Sequence, residues 1–102
     1  MKVHNKLVRD LIPQIISQAG HIAHTHILDE SAYLHALEEK LLEETNEYLQ
    51  TPCTEELADI LEVMEAICRA RGYDMQQVLR IKTEKQKERG AFNNRIFLES
   101  VE

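Results

Sequence analysis

Apolar positions recur at three- and four-residue intervals through the middle of the chain, the spacing of helices that bury one stripe. Leu34, Leu37, Leu41, Leu42, Tyr48 and Leu49, with Thr45 among them, predict a long helix. Asp29 or Ser31 caps it, and it runs to about Gln50. Thr51, Pro52, Cys53 and Thr54 interrupt the pattern, and Pro52 or Glu55 opens the next helix. That helix is apolar over much of its circumference (Leu57, Ile60, Leu61, Val63, Met64, Ile67, Cys68) and stops at Gly72, after Arg71. Asp74 caps a fourth helix, with Gln77 as its capping-box partner, and Gly90 ends it. Upstream, Asp10 caps a short helix that tolerates Pro13 in its opening turn and ends at Gly20. Residues 21–28 break the helical period and include β-branched residues, which predicts a short strand or an extended connector. Residues 91–102 read as an irregular or extended tail. The expected fold is all-α: about four helices and a short extended N-terminal segment, the two central helices forming an antiparallel hairpin.

The length of 102 residues fits a single domain spanning 1–102. A core this small gains from a partner subunit. Twelve basic against eighteen acidic residues give a net charge of −6, which argues against nucleic acid as a partner. A small anion held through metal ions is compatible with that charge. No run approaches the ~18 apolar residues of a membrane span. The opening MKVHNKLVRDLIPQII lacks the apolar run and cleavage site of a secretory signal, and two cysteines are too few for a disulfide scaffold. The expected location is cytoplasmic, with no membrane association.

Charged residues on the wrong side of their helices carry the chemistry. At about 100° per residue, with Glu56 at zero, Ile60, Val63 and Ile67 all fall within about 40° of it, and Asp59 lies at the edge near −60°. On the preceding helix Glu44 and Glu47 share one flank of the stripe, an i, i+3 pair, while Glu43 points almost straight away from the core. Glu38 also falls within the stripe but, with Leu41 three residues on, lacks an acidic i, i+3 partner and reads as a boundary residue. An isolated carboxylate in an apolar interface costs several kcal/mol or gives up its charge. The plain explanations are a boundary salt bridge, a favourable helix start, or Lys40 acting as an i, i+4 partner to Glu44. The sharper one follows from the hairpin. Its tight turn brings Glu44 with Glu47 and Glu56 with Asp59 to the same end, where four hard oxygen donors suit Mg²⁺, with Mn²⁺ possible. On the fourth helix Lys82, Lys85 and Arg89 continue the stripe begun by Met75, Val78 and Leu79. Their stems either snorkel or bring cations to a phosphate chain.

Glu43-Glu44-x-x-Glu47 followed by Glu56-x-x-Asp59 resembles the metal signature of the MazG-like all-α nucleoside triphosphate pyrophosphohydrolases. The flanks NKLVRDLIP, LEEKLLEETNEYL, EELADILEVMEAI and RGAFNNRIFL resemble a small, phosphoribosyl-ATP pyrophosphohydrolase-like branch of that superfamily, so the resemblance covers nearly the whole chain. Only eight residues separate Glu47 from Glu56, a shorter gap than is usual in MazG proper. The resemblance implies hydrolysis of a nucleoside triphosphate, or a related phosphorylated nucleotide, between its α- and β-phosphates. Glu44, Glu47, Glu56 and Asp59 would hold Mg²⁺, and Glu43 or Glu44 would orient the attacking water. Lys82, Lys85 and Arg89 would hold the phosphates, with Lys6 and Arg9 as further candidates. It also implies a homodimer or homotetramer in which hairpins pair into a four-helix bundle.

Other features read more plainly. His21, His24 and His26 are irregularly spaced, with no cysteine nearby to complete a zinc site. Phe92 and Phe97 are expected to anchor the tail on the core, and Asn93, Asn94 and Arg95 to form a turn or read a base. The competing functional class is a non-catalytic all-α interaction module whose acidic clusters bind a basic partner.

Overall fold

The computed structural model describes residues 2–102. Four helices follow in order: α1 Ile12–Gln18, α2 Glu30–Gln50, α3 Thr54–Arg71 and α4 Met75–Arg89. The described residues include no strand, and residues 21–28 form neither helix nor strand but connect α1 to α2, so the fold is all-α as the apolar spacing predicts. The chain divides into two compact units, Met1–Gly72 and Tyr73–Glu102.

The first unit is built on the α2–α3 hairpin. Asp29 caps α2, its carboxylate accepting a hydrogen bond from the Ala32 N–H at 2.8 Å, so of the two expected caps it is Asp29 and not Ser31 that serves. After Gln50 the three residues Thr51, Pro52 and Cys53 turn the chain, and α3 opens at Thr54. The expected openers, Pro52 and Glu55, flank that position. Cys53 has extended backbone and takes the N-cap place without a side-chain bond, its carbonyl accepting from the Leu57 N–H. So short a connection leaves α2 and α3 antiparallel. An Arg71–Glu38 ion pair joins them away from the turn, and Glu44 meets Glu56 and Asp59 nearer to it. Gly72 closes α3 in the left-handed region at φ 74, where a side chain is strained.

Leu37, Val63 and Cys68 are the buried apolar residues. Leu42, Leu49, Leu57, Leu61 and Met64, expected in the stripes, are exposed. Each helix of a hairpin meets one neighbour, and a single neighbour covers only part of so wide an apolar circumference. Asp10 does not cap α1. Leu11 holds that position with no side-chain bond, and the chain enters the helix through an Ile12 N–H to Arg9 carbonyl turn of 3.0 Å. Proline at the second helical residue removes one of the donors a cap would serve.

In the second unit Asp74 caps α4 through the Gln76 N–H at 2.9 Å. The Gln77 N–H goes instead to the Asp74 backbone carbonyl, so the side-chain half of the expected capping box falls one residue early. The helix buries none of its residues and ends at Gly90. Phe92 and Phe97 do not anchor on a core: they are 97% and 88% exposed.

Candidate metal centre

The i, i+3 spacing places Glu44 and Glu47 one turn apart on α2, and Glu56 and Asp59 one turn apart on α3. The hairpin does the rest. Glu43, Glu44 and Glu47 each bring an oxygen within 4.8 Å of the others, and Glu44, Glu56 and Asp59 do the same. Glu44 belongs to both sets, so five carboxylates from two helices form one continuous cluster around it.

Glu44 is 7% exposed, the only buried charged residue among those described. Its Oε2, with Oε2 of Glu56, is buried with no hydrogen-bond partner. Burial pushes the Glu44 carboxyl above its ordinary pKa, and the neighbouring Glu47 adds to the rise through a hydrogen bond and like charge. Lys40, 3.4 Å from Glu44 Oε1, offsets part of it. Lys40 thus serves as the expected i, i+4 partner, but it satisfies one oxygen and leaves the other bare.

Glu43 does not point away from the core. It is half-buried, with Lys6 Nζ 3.2 Å from its Oε1 and Lys40 Nζ 3.4 Å from its Oε2. Burial acts upward on its carboxyl, but the bond and charge of Lys6 and the charge of Lys40 outweigh it and hold the group below the usual carboxylate range. Arg9 donates to Asp59 Oδ1 at 2.7 Å. Lys6 and Arg9, singled out from NKLVRD as phosphate ligands, therefore sit on the acids themselves. Chain spacing does not reveal these pairings, which join residues 37 and 50 positions apart. Glu38, read as a boundary residue, is exposed and paired with Arg71.

Within the second unit, Lys82, Lys85 and Arg89 line an open groove of about 670 Å³ with Val78, Ile81 and Phe92. The change of the α4 face from apolar to cationic is therefore real, and the three cations share one surface. His21, His24 and His26 are exposed, and no metal-holding group of the described residues includes them.

Fold and site together define an all-α hairpin protein with a convergent carboxylate cluster. No family model, curated protein or solved structure matches the chain. No described helix is long and apolar enough to cross a membrane.

Proposed function

We propose that the chain is a Mg²⁺-dependent nucleoside triphosphate pyrophosphohydrolase that releases a nucleoside monophosphate and pyrophosphate. One observation supports the metal part above all: Glu44 and Glu56, from different helices, each bury an oxygen that no protein donor meets. Such a pair is costly unless a cation lies between them. All the donors are carboxylate oxygens, the set preferred by Mg²⁺ and Mn²⁺. The nucleotide part rests on the resemblance of the acidic motifs and their flanks.

Glu44, Glu47, Glu56 and Asp59 are the metal ligands in this reading. Bound Mg²⁺ supplies charge neutralisation of phosphate oxygens and a lowered pKa for attacking water. Glu43, held beside Lys40 on its own helix, accepts a hydrogen bond from that water and orients it. The water oxygen bonds to phosphorus, the bridging P–O bond between the α- and β-phosphates breaks, and a carboxylate takes the proton. Lys6 and Arg9, which lie against the acids within the same unit, are the proposed phosphate ligands. The exposed leucines of α2 and α3 favour a homodimer or homotetramer. A docking module for basic partners fits less well, because its acids would face solvent, whereas Glu44 is buried.

Incubation with a panel of nucleoside triphosphates and Mg²⁺, followed by pyrophosphate detection, tests the proposal. Glu44→Gln and Asp59→Asn are each expected to reduce turnover by at least about a hundredfold. Full activity in both variants would overturn the metal assignment.

A further inference from the structure

Lys6 and Arg9 differ from every other cation around the carboxylates in that no helix carries them. Lys6 follows Asn5, which adopts the left-handed region at φ 46, a conformation asparagine tolerates. Among the described residues, no backbone hydrogen bond fixes residues 2–8. This short strap nevertheless touches both helices, Lys6 on Glu43 of α2 and Arg9 on Asp59 of α3. Both contacts are half-exposed, and ion pairs so open to water are weak. Lys40 is different. It stands on α2 with its side chain 15% exposed, held by its own helix between Glu43 and Glu44.

The strap also leaves the centre of the cluster unserved. Lys6 and Arg9 neutralise the outer acids, while the buried oxygens of Glu44 and Glu56 between them have no partner. Each outer acid belongs to one of the two carboxylate triads, Glu43 to the first and Asp59 to the second. A divalent cation drawn to the inner oxygens therefore competes with the strap for the outer ones.

We propose that Lys6 and Arg9 are placeholders: they cover the carboxylates until a divalent cation displaces them, and then turn to the phosphates of the anionic ligand. Binding is thereby ordered, with cation first and phosphate second. The exchange conserves charge, since two single positive charges leave as one double charge arrives. The freed groups are an ammonium and a guanidinium three residues apart, and the latter grips phosphate through two parallel hydrogen bonds. This rests on the metal reading above and adds to it the order of binding and the state of the strap.

The test uses the full chain, with Mn²⁺ as the cation and inorganic pyrophosphate as the phosphate probe. Tryptic cleavage after Lys6 and Arg9, followed by mass spectrometry against cleavage after Arg95 as internal reference, reports whether the two side chains are free. Saturating Mn²⁺ is expected to speed cleavage at both bonds about threefold or more, the scale of releasing exposed ion pairs, and pyrophosphate to slow it again. In calorimetry, Lys6→Ala with Arg9→Ala is expected to bind Mn²⁺ about threefold or more tightly, because competitors are gone. The same double variant should bind pyrophosphate in the presence of Mn²⁺ about tenfold more weakly. A purely structural strap would not move the two affinities in opposite directions. If Mn²⁺ binds the wild type but leaves cleavage at Lys6 and Arg9 unchanged, the placeholder role is overturned and the metal centre stands. If Mn²⁺ fails to bind the wild type, both fall.

Discussion

Glu44 occupies the least comfortable position for a carboxylate in this protein. It is buried, one oxygen lacks a partner, and Glu47 stands one turn away with the same charge. In the cation-free protein its charge opposes folding, so the neutral isostere should help. Glu44→Gln is expected to raise the stability of the cation-free protein by about 1 kcal/mol, the usual order for relieving an unsatisfied buried polar group. Thermal unfolding measures this, and the same variant should lose the stabilisation that Mg²⁺ gives the wild type. The sign with pH follows from the same carboxyl, which faces Glu43, Glu47 and Lys40 on its own helix and Glu56 and Asp59, with Arg9, across the hairpin. Its raised folded-state pKa means that the folded protein holds a proton the unfolded chain has released. Cation-free stability from this group therefore falls as pH rises from the ordinary carboxylate pKa of 4.5 through the raised value. Glu43 works oppositely: its lowered pKa contributes stability that is present above 4.5 and lost as pH falls through its folded value. Because the ion needs ionised ligands, the Mg²⁺-induced rise in melting temperature is expected to grow as pH is raised past the Glu44 titration. Paired thermal melts at pH 5 and 8 with and without Mg²⁺ check it, and a shift independent of pH would count against Glu44 as a ligand.

At the scale of elements, the cluster depends on how α2 and α3 begin and end. Asp29 satisfies an orphan N–H at the start of α2, and Gly72 supplies the left-handed residue that stops α3. Asp29→Ala is expected to cost about 1 kcal/mol through the lost cap. Gly72→Ala should cost about the same because φ 74 is unfavourable to a Cβ, even though the space beside it is open. Urea unfolding followed by helical circular dichroism separates these from Gly72→Asn, which tolerates the conformation and should lose less. The Arg71–Glu38 pair bridges the two helices with both side chains substantially exposed. Glu38→Ala is therefore expected to change stability by less than about 1 kcal/mol.

At the scale of the whole molecule, the apolar surface is the outstanding fact. Leu42, Leu49, Leu57, Leu61 and Met64 remain exposed on the hairpin, and no described side chain is completely buried. Surface of that kind is normally covered by a partner, and a stable interface takes about 800 Å² from each. The proposed self-association has a direct check: Leu57→Glu with Leu61→Glu is expected to shift the species seen by light scattering toward the monomer. An unaltered oligomer would direct attention to Leu42 and Leu49 instead. Lys82, Lys85 and Arg89 belong to a unit whose helix buries nothing, so they present a cationic groove with an apolar wall.

Local pattern was enough to define the helices. Periodic leucines, Asp29, Asp74, Gly72 and Gly90 mark elements within a residue or two of where they lie, because caps and amphipathic spacing act over one or two turns. The acidic pairs were legible for the same reason, as carboxylates intruding on an apolar face. Local pattern was silent on what covers that face, so Leu57, Leu61 and Phe92 look like core in the sequence and lie exposed in the structure. It also misplaced Glu43: a helical wheel gives its direction from the axis, whereas its environment comes from Lys6, 37 residues away in the chain. Only the tertiary structure joined the two pairs through Glu44, left one oxygen of Glu44 and one of Glu56 buried without a partner, and laid the strap over the outer acids. Those features arise between segments distant in sequence, where position depends on the packing of one helix against another and no longer on the spacing of residues within either.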